Sequence, residues 1–298
     1  MSYYITNEDT IIFDPKFNEP LGKSLDKLIN LTHLTFGFCF NKPLANSLDK
    51  LINLTQITFG ESFNKPLSNS LDKLTNLNQI TFGKCFDQPL ANSLDKLTNL
   101  SQIIFGLYFN QPLANSFDKS INLTVIDFDY KFNQPLGNSL SKLINLKSLY
   151  FHYSFNQPLS NSLNNLINLT HLALGHDFNQ ELYLPPNIKI LTLECDNQYI
   201  YDTLPNSIEQ LNLDFDHNCD LTLDNFPSSI KIIKFYEKNF YCKSLNNLPK
   251  YVEILQLPFK YNVQIKNIPI GLKKIICPEE YEFIDDFIGL GVEIEIYE

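Results

Sequence analysis

Apolar residues return to the same phase every 23 positions over the first two-thirds of the chain. Phe17, Phe40, Phe63, Phe86, Phe109, Phe132, Phe155 and Phe178 are spaced at 23 residues without a slip. Pro20 recurs in step as far as Pro158, and Asn30 as far as Asn168. The unit reads F-N-x-P-L-x-x-S-L-x-x-L-x-N-L-x-x-[LI]-x-F-G-x-x, and its apolar period changes partway along. The segment L-x-x-[LI]-x-F, as in Leu54 to Phe59, ends in alternation and predicts a short strand closed by Gly60 or its equivalents. The segment N-S-L-D-K-L, as in Asn46 to Leu51, places Leu at i and i+3 and Asp three residues after Asn. That spacing predicts a capping box opening a single helical turn.

One strand and one turn cannot bury their own apolar side chains, so the units must stack into a solenoid in which equivalent residues form columns. Phe36, Phe59, Phe82, Phe105, Phe128 and Phe151 then make an internal aromatic ladder, and the Phe17 series a second ladder on the far side of the strand. Asn18, Asn41, Asn64, Asn110, Asn133, Asn156 and Asn179, with Asp87 substituting once, fall where the chain turns. Side chains there satisfy backbone groups that stacking removes from water, so both Asn columns are expected to be structural.

Beyond residue 180 a looser frame, [LIF]-P-x-x-[ILV]-x-x-[LI]-x-[LFC], continues from Leu184-Pro185, Leu204-Pro205, Phe226-Pro227, Leu248-Pro249 and Ile268-Pro269. It predicts strands at 191–193, 211–213, 233–235, 255–257 and 275–277. Ile11 and Phe13 start the series and the alternating 292–297 ends it, for about fourteen parallel strands. The expected organisation is one solenoid over 1–298, with regular repeats over 8–180 and degenerate repeats with a C-terminal cap over 181–298. Acidic residues and Pro15 at the two end strands are expected to blunt open sheet edges.

The frame L-x-x-L-x-F followed by a turn and further Leu positions resembles a leucine-rich repeat with Phe in place of some Leu. The phrase F-N-x-P, as in Phe63 to Pro66 and Phe155 to Pro158, together with the L-P frame, resembles the FNIP-repeat family. That family is a leucine-rich-repeat variant of social amoebae and amoeba-infecting giant viruses. The resemblance covers residues 8–298 and implies a β-rich horseshoe of the α/β type. Its concave face is a sheet of short parallel strands, and its convex side carries short helical turns or loops. The family's repeats are protein-binding surfaces without catalytic residues, and an F-box often precedes them. Here the frame begins by residue 11 and leaves no room for an F-box, which sets a ubiquitin-ligase adaptor role behind the others.

Composition narrows the function classes. All 23 basic residues are Lys, Trp is absent, and 33 acidic residues bring the formal net charge to −10. Without the planar fork of Arg, nucleic-acid recognition is disfavoured. No apolar run is long enough to span a bilayer and the first residues lack the shape of a signal peptide, so the expected location is cytoplasmic, in the host if the chain is viral. The six cysteines form no C-x-x-C pair and read as free thiols. No nucleotide-binding, zinc-protease or serine-hydrolase motif occurs, so neither an enzyme nor a cofactor is expected.

Candidate binding residues lie where the repeat loses its monotony. Outward strand positions in the first coils are Thr, Gln and Gly. Asp127, Asp129, Tyr130, Tyr150, His152, Tyr153, His171, His176 and Asp177 replace them in the middle coils. Asp129 and His152 occupy equivalent positions in adjacent coils and are expected to pair. A second candidate is the charge band of the C-terminal third. Residues 190–224 carry eight acidic and no basic residues, 225–274 nine Lys and two Glu, and 275–298 eight acidic and no basic. Lys231, Lys234 and Tyr236 stand in the basic block, with Lys238, Lys243 and Lys260 nearby. Neighbouring coils of opposite sign attracting one another is one reading, and a Lys/Tyr patch for an acidic protein surface is the other. The function expected is a monomeric, non-enzymatic scaffold for a protein partner, with a structural component of a virus particle as the alternative.

Overall fold

The computed structural model describes residues 3–7, 9–159, 161–215, 221–236 and 239–297. Lys238, named above, lies outside the described residues, as do Cys219 among the six cysteines and Glu298 at the last strand. The chain divides into two compact units, Met1–Leu169 and Thr170–Glu298.

The first unit is built on strands β1 (Tyr3–Asn7), β2 (Thr10–Phe13), β3 (His33–Thr35), β4 (Gln56–Thr58), β5 (Gln79–Thr81), β6 (Gln102–Ile104), β7 (Val125–Phe128) and β8 (Ser148–Phe151). From β2 to β8 each strand pairs in parallel with the next, and equivalent residues of successive repeats are in register. The 23-residue phase is therefore the register of the sheet. Strand β1 pairs antiparallel with β2. It was not foreseen, although Tyr3-Tyr4-Ile5-Thr6 has the aromatic and β-branched composition of a strand. The edge of β2 is thus covered by a strand as well as flanked by charge.

The aromatic ladders hold this unit together. Phe36, Phe59, Phe82, Phe105, Phe128 and Phe151 are buried and stack in sequence, with ring centroids 5.1–5.6 Å apart from one coil to the next. The Phe17 series forms a second buried stack at 5.9–6.1 Å. The two are not on opposite sides of the strand: Phe82 and Phe86 face each other at 4.0 Å, and Phe105 and Phe109 at 4.0 Å. Four residues after the strand Phe, the chain has turned back far enough to lay the second ring on the first, so one core contains both stacks.

The turns differ from the single helical turn that the capping-box spacing predicts. Ser47 N donates to Leu44 O, Asp49 N to Asn46 O, Leu51 N to Leu48 O and Leu54 N to Leu51 O, a series of i→i+3 turns without an α-helix. Together they turn a Leu into the core every three or four residues, and Leu44, Leu48, Leu51 and Leu54 are fully buried. Both Asn columns are structural, as expected. The Oδ1 of Asn18, Asn41, Asn64, Asp87, Asn110 and Asn133 each accepts the backbone N–H of the next member of the column. Only the oxygen is used in this role, which explains why Asp87 replaces Asn without breaking the ladder. In the other column Asn53, Asn76, Asn99, Asn122, Asn145 and Asn168 donate Nδ2 to the carbonyl 24 residues earlier.

Glycine stands where the backbones of successive coils meet. A Cβ placed on Gly60, Gly83 or Gly106 would lie 1.9–2.2 Å from the carbonyl oxygen of the preceding glycine in the column. The backbones approach too closely there for any side chain. At Asp129 and His152 the column no longer holds glycine. Strands β7 and β8, which precede these two residues, run to four residues and Phe128 pairs with Phe151, whereas β3 to β6 stop at three.

The second unit carries β9 (His171–Leu174), β10 (Ile190–Leu193), β11 (Gln210–Leu213), β12 (Ile232–Phe235), β13 (Ile254–Gln256), β14 (Lys274–Pro278) and β15 (Glu293–Tyr297), again in parallel register. Its strands match the predicted positions to within about a residue. A short helix, α1 (Gln198–Asp202), and a 3-10 turn at Ile284–Phe287 are the helical elements among the described residues. Irregular aromatics such as Phe215, Phe235, Tyr241 and Tyr261 fill this core in place of the Phe ladders. Cys195 is fully buried and free, and burial pushes its thiol up to about 12, so it stays protonated and unreactive.

A charge ladder accounts for part of the C-terminal band. The residue before each of strands β10 to β14 alternates in sign: Lys189, Glu209, Lys231, Glu253 and Lys273. Lys189 bonds Glu209 at 2.7 Å and Lys273 bonds Glu253 at 2.7 Å, and Lys231 lies between the two glutamates and acts on both. These pairs hold the carboxyls of Glu209 and Glu253 below their ordinary value of 4.5. A depressed carboxylate stabilises the fold above its unfolded pKa, and that contribution is lost as pH falls through the folded one. We therefore expect the urea midpoint of the second unit to fall between pH 6 and pH 3, modestly, because the pairs are exposed and screened. Glu209→Gln/Glu253→Gln should flatten this dependence in equilibrium titrations; an unchanged pH profile would remove the ladder from the explanation.

Candidate functional site

Outward side chains follow from strand parity. In β7, Ile126 and Phe128 are buried while Asp127 stands on the outer face; in β8, Leu149 and Phe151 are buried while Tyr150 stands out, directly opposite Asp127. His152 is two residues beyond Tyr150 and so shares its face, a diagonal neighbour of Asp127. His152 Nε2 lies 3.0 Å from Asp127 Oδ1. The pair is thus Asp127–His152 and not Asp129–His152. Asp129 instead accepts the N–H of Tyr130 at 2.7 Å, which turns its carboxylate back onto the chain. Tyr130 and Tyr153, in the turns after these strands, stack at 4.5 Å, and Lys131 Nζ sits 5.3 Å from the Tyr130 centroid. The first unit therefore brings Asp127, Tyr150, His152 and the Tyr130–Tyr153 stack onto consecutive coils.

The remaining middle-coil residues belong to the second unit. His171 Nδ1 lies 2.8 Å from Thr170 Oγ1, and His176 Nδ1 lies 2.9 Å from Asp177 Oδ1. Each histidine is engaged by its sequence neighbour. Among the described residues no group of three or more His, Cys, Asp or Glu is placed to hold a metal ion, and no helix is long and apolar enough to cross a membrane.

The second unit also contains an open groove of about 590 Å³ on the strand face of β11 to β13, lined by Gln210, Asn212, Asp214, Lys234, Tyr236 and Gln256. Lys234 and Tyr236 were singled out by charge and composition, whereas Lys231 falls in the charge ladder. The carboxamides Gln210, Asn212 and Gln256 were missed because neutral polar residues on a strand resemble any solvated face. Their signal was the column: Thr192, Asn212, Lys234 and Gln256 share one outward position of the L-x-L frame. Asn212 is fixed at both ends, donating Nδ2 to Thr192 Oγ1 at 3.1 Å and accepting Gln210 Nε2 at 3.0 Å. Partial burial, then Asp214 and Glu194, push the Tyr236 phenol up, which keeps it a hydrogen-bond donor.

The model for the FNIP repeat matches residues 197–238, within the second unit. CroV588, a circular leucine-rich-repeat protein of a giant virus, is similar over 92% of this chain and 40% of its own, with 28% identity and a TM-score of 0.74. The chain carries an FNIP repeat on a leucine-rich-repeat fold. Drosophila Toll, in its complex with Spätzle, matches 93% of this chain and 44% of its own at 17% identity and a TM-score of 0.67. An internalin (inlF) of Listeria monocytogenes matches 97% and 82% at 14% identity and 0.57. At those identities Toll and the internalin speak for the fold alone. Among curated proteins none matches this leucine-rich-repeat chain in sequence. The chain spans 40% of the length of CroV588.

Proposed function

We propose that this leucine-rich-repeat chain is a non-enzymatic scaffold whose strand face binds a protein partner. One observation carries the reading: an almost invariant buried core presents an outer strand face whose polar residues vary from coil to coil. Thr58 and Thr81 give way to Asp127 and Tyr150 at registered positions, above the same Phe ladder. Side chains on a rigid sheet are held ready to bind, which lowers the cost of ordering an interface. Toll, which shares the fold, is seen in complex with Spätzle, so a protein partner is within the reach of this fold. The test uses the full chain as bait in the native host, with photo-cross-linkers at Tyr150 or Gln256 on the strand face and at Ile52 or Lys96 on the turn side. Adducts to one protein from the strand-face probes alone are expected, and Tyr150→Ala/His152→Ala should lower its recovery about tenfold. Equal labelling from both sides and undiminished recovery would sink the proposal. A second reading, a structural component of a virus particle, draws on the likeness to CroV588. Co-sedimentation of the chain with particles, against its recovery from the dispersed fraction, separates the two.

A further inference from the structure

Lysines in strands β10 to β14 or immediately before them face carboxylates, with one exception among the described residues. Lys189 bonds Glu209, Lys273 bonds Glu253, and Lys274 bonds its cross-strand neighbour Glu293 at 2.8 Å as well as Glu295. Lys231 stands between Glu209 and Glu253. Opposite charges facing each other across strands are a regular source of sheet stability. Lys234 has Asn212 and Gln256 as its registered neighbours, and its ammonium makes no ion pair among the described residues. It is nonetheless half-buried, in the middle of the groove of about 590 Å³. Asn212 is held by Gln210 and Thr192, so the floor beside the cation is neutral and preformed. Tyr236 adds a hydroxyl donor at the rim, and Asp214 puts a negative charge at that same end.

We infer that this groove receives an extended segment of the partner protein through a single acidic side chain, whose carboxylate seats on Lys234 beside Gln256. The inference deepens the partner-binding reading and rests on it. A half-buried cation without a counter-ion gains most from a carboxylate that arrives with its own hydrogen-bonding capacity, and neighbouring amides complete the ligation. Asp214 selects against a run of acidic residues, because a second carboxylate at the Tyr236 end would meet a like charge. The segment that fits has one Asp or Glu with neutral or basic neighbours. An acidic tract does not fit.

Phage-displayed random nonapeptides selected on the full chain provide the test. The wild type is expected to enrich peptides with one Asp or Glu at a fixed position. Glu→Gln in an enriched peptide should weaken binding at least tenfold by fluorescence anisotropy, with a loss that shrinks in high salt. Lys234→Glu should replace the acidic preference by a basic one, and Lys231→Gln, in the charge ladder, should leave it unchanged. Lys234 makes no ion pair among the described residues, so an unchanged urea midpoint for Lys234→Gln identifies lost binding as local. No acidic preference, or the same preference in Lys234→Glu, would overturn the inference. Strand-face cross-links to a protein partner would then still stand, so the two failures are distinguishable.

Discussion

Phe82→Ala is expected to destabilise the first unit by ~3–5 kcal/mol, and Thr81→Ala, one residue away, by less than about 0.5 kcal/mol. Phe82 is buried and lies against three rings: Phe59 at 5.3 Å, Phe105 at 5.6 Å and Phe86 at 4.0 Å. Removing it opens a void between two stacks. The void cannot close by local collapse, because the rings on either side are fixed by strands in register above and below. Thr81 points to the outer face, where its hydroxyl lies 3.5 Å from Gln79 Nε2. Paired urea titrations by circular dichroism check the contrast. In a repeat protein the transition need not be all-or-none, so the midpoint and slope of both variants must be compared. Coincident midpoints would mean that the faces of the strand have been assigned the wrong way round.

The same regularity determined what the sequence could reveal. A phase of 23 residues places Phe on Phe and Asn on Asn, so the ladders, the strands and the parallel register are all legible without a structure. The asparagine bonds were legible in kind, since a residue that recurs at a turn must satisfy what the turn leaves open. Departures from column logic were not. His152 reaches Asp127 rather than its column partner Asp129 because side chains two residues apart share a strand face, and a diagonal neighbour outcompeted the one in register. The helical turn failed because three-residue Leu spacing serves consecutive i→i+3 turns as well as it serves a helix. In the second unit, net charge by block pointed to Lys231, Lys234 and Tyr236 together, yet only the register separates them. It puts Lys231 between two glutamates and leaves Lys234 between two carboxamides.

The sharpest test of coil stacking is a single methyl group. Gly83→Ala is expected to cost ~3 kcal/mol, because the added Cβ meets backbone atoms that no rotamer change can move. Gly60 O would lie 2.2 Å away and Gly60 C 2.5 Å away. The coil escapes only by parting from its neighbour, at the cost of its packing on the coils to either side. Eight residues further on, the opposite substitution should help. Ala91 has φ +46°, in the left-handed region that disfavours a Cβ, and the registered positions Gly22 and Gly137 carry glycine with open space around the missing side chain. Ala91→Gly is expected to be neutral to stabilising, by up to about 1 kcal/mol, as relief of that strain offsets the greater freedom of glycine in the unfolded chain. The two variants exchange the same atoms in opposite directions, so composition and hydrophobicity cannot account for the pair of signs. Chemical denaturation of both proteins decides: the Gly83→Ala midpoint should fall steeply while the Ala91→Gly midpoint holds or rises, and a parallel shift of the two would refute close backbone approach as the reason for the glycine column.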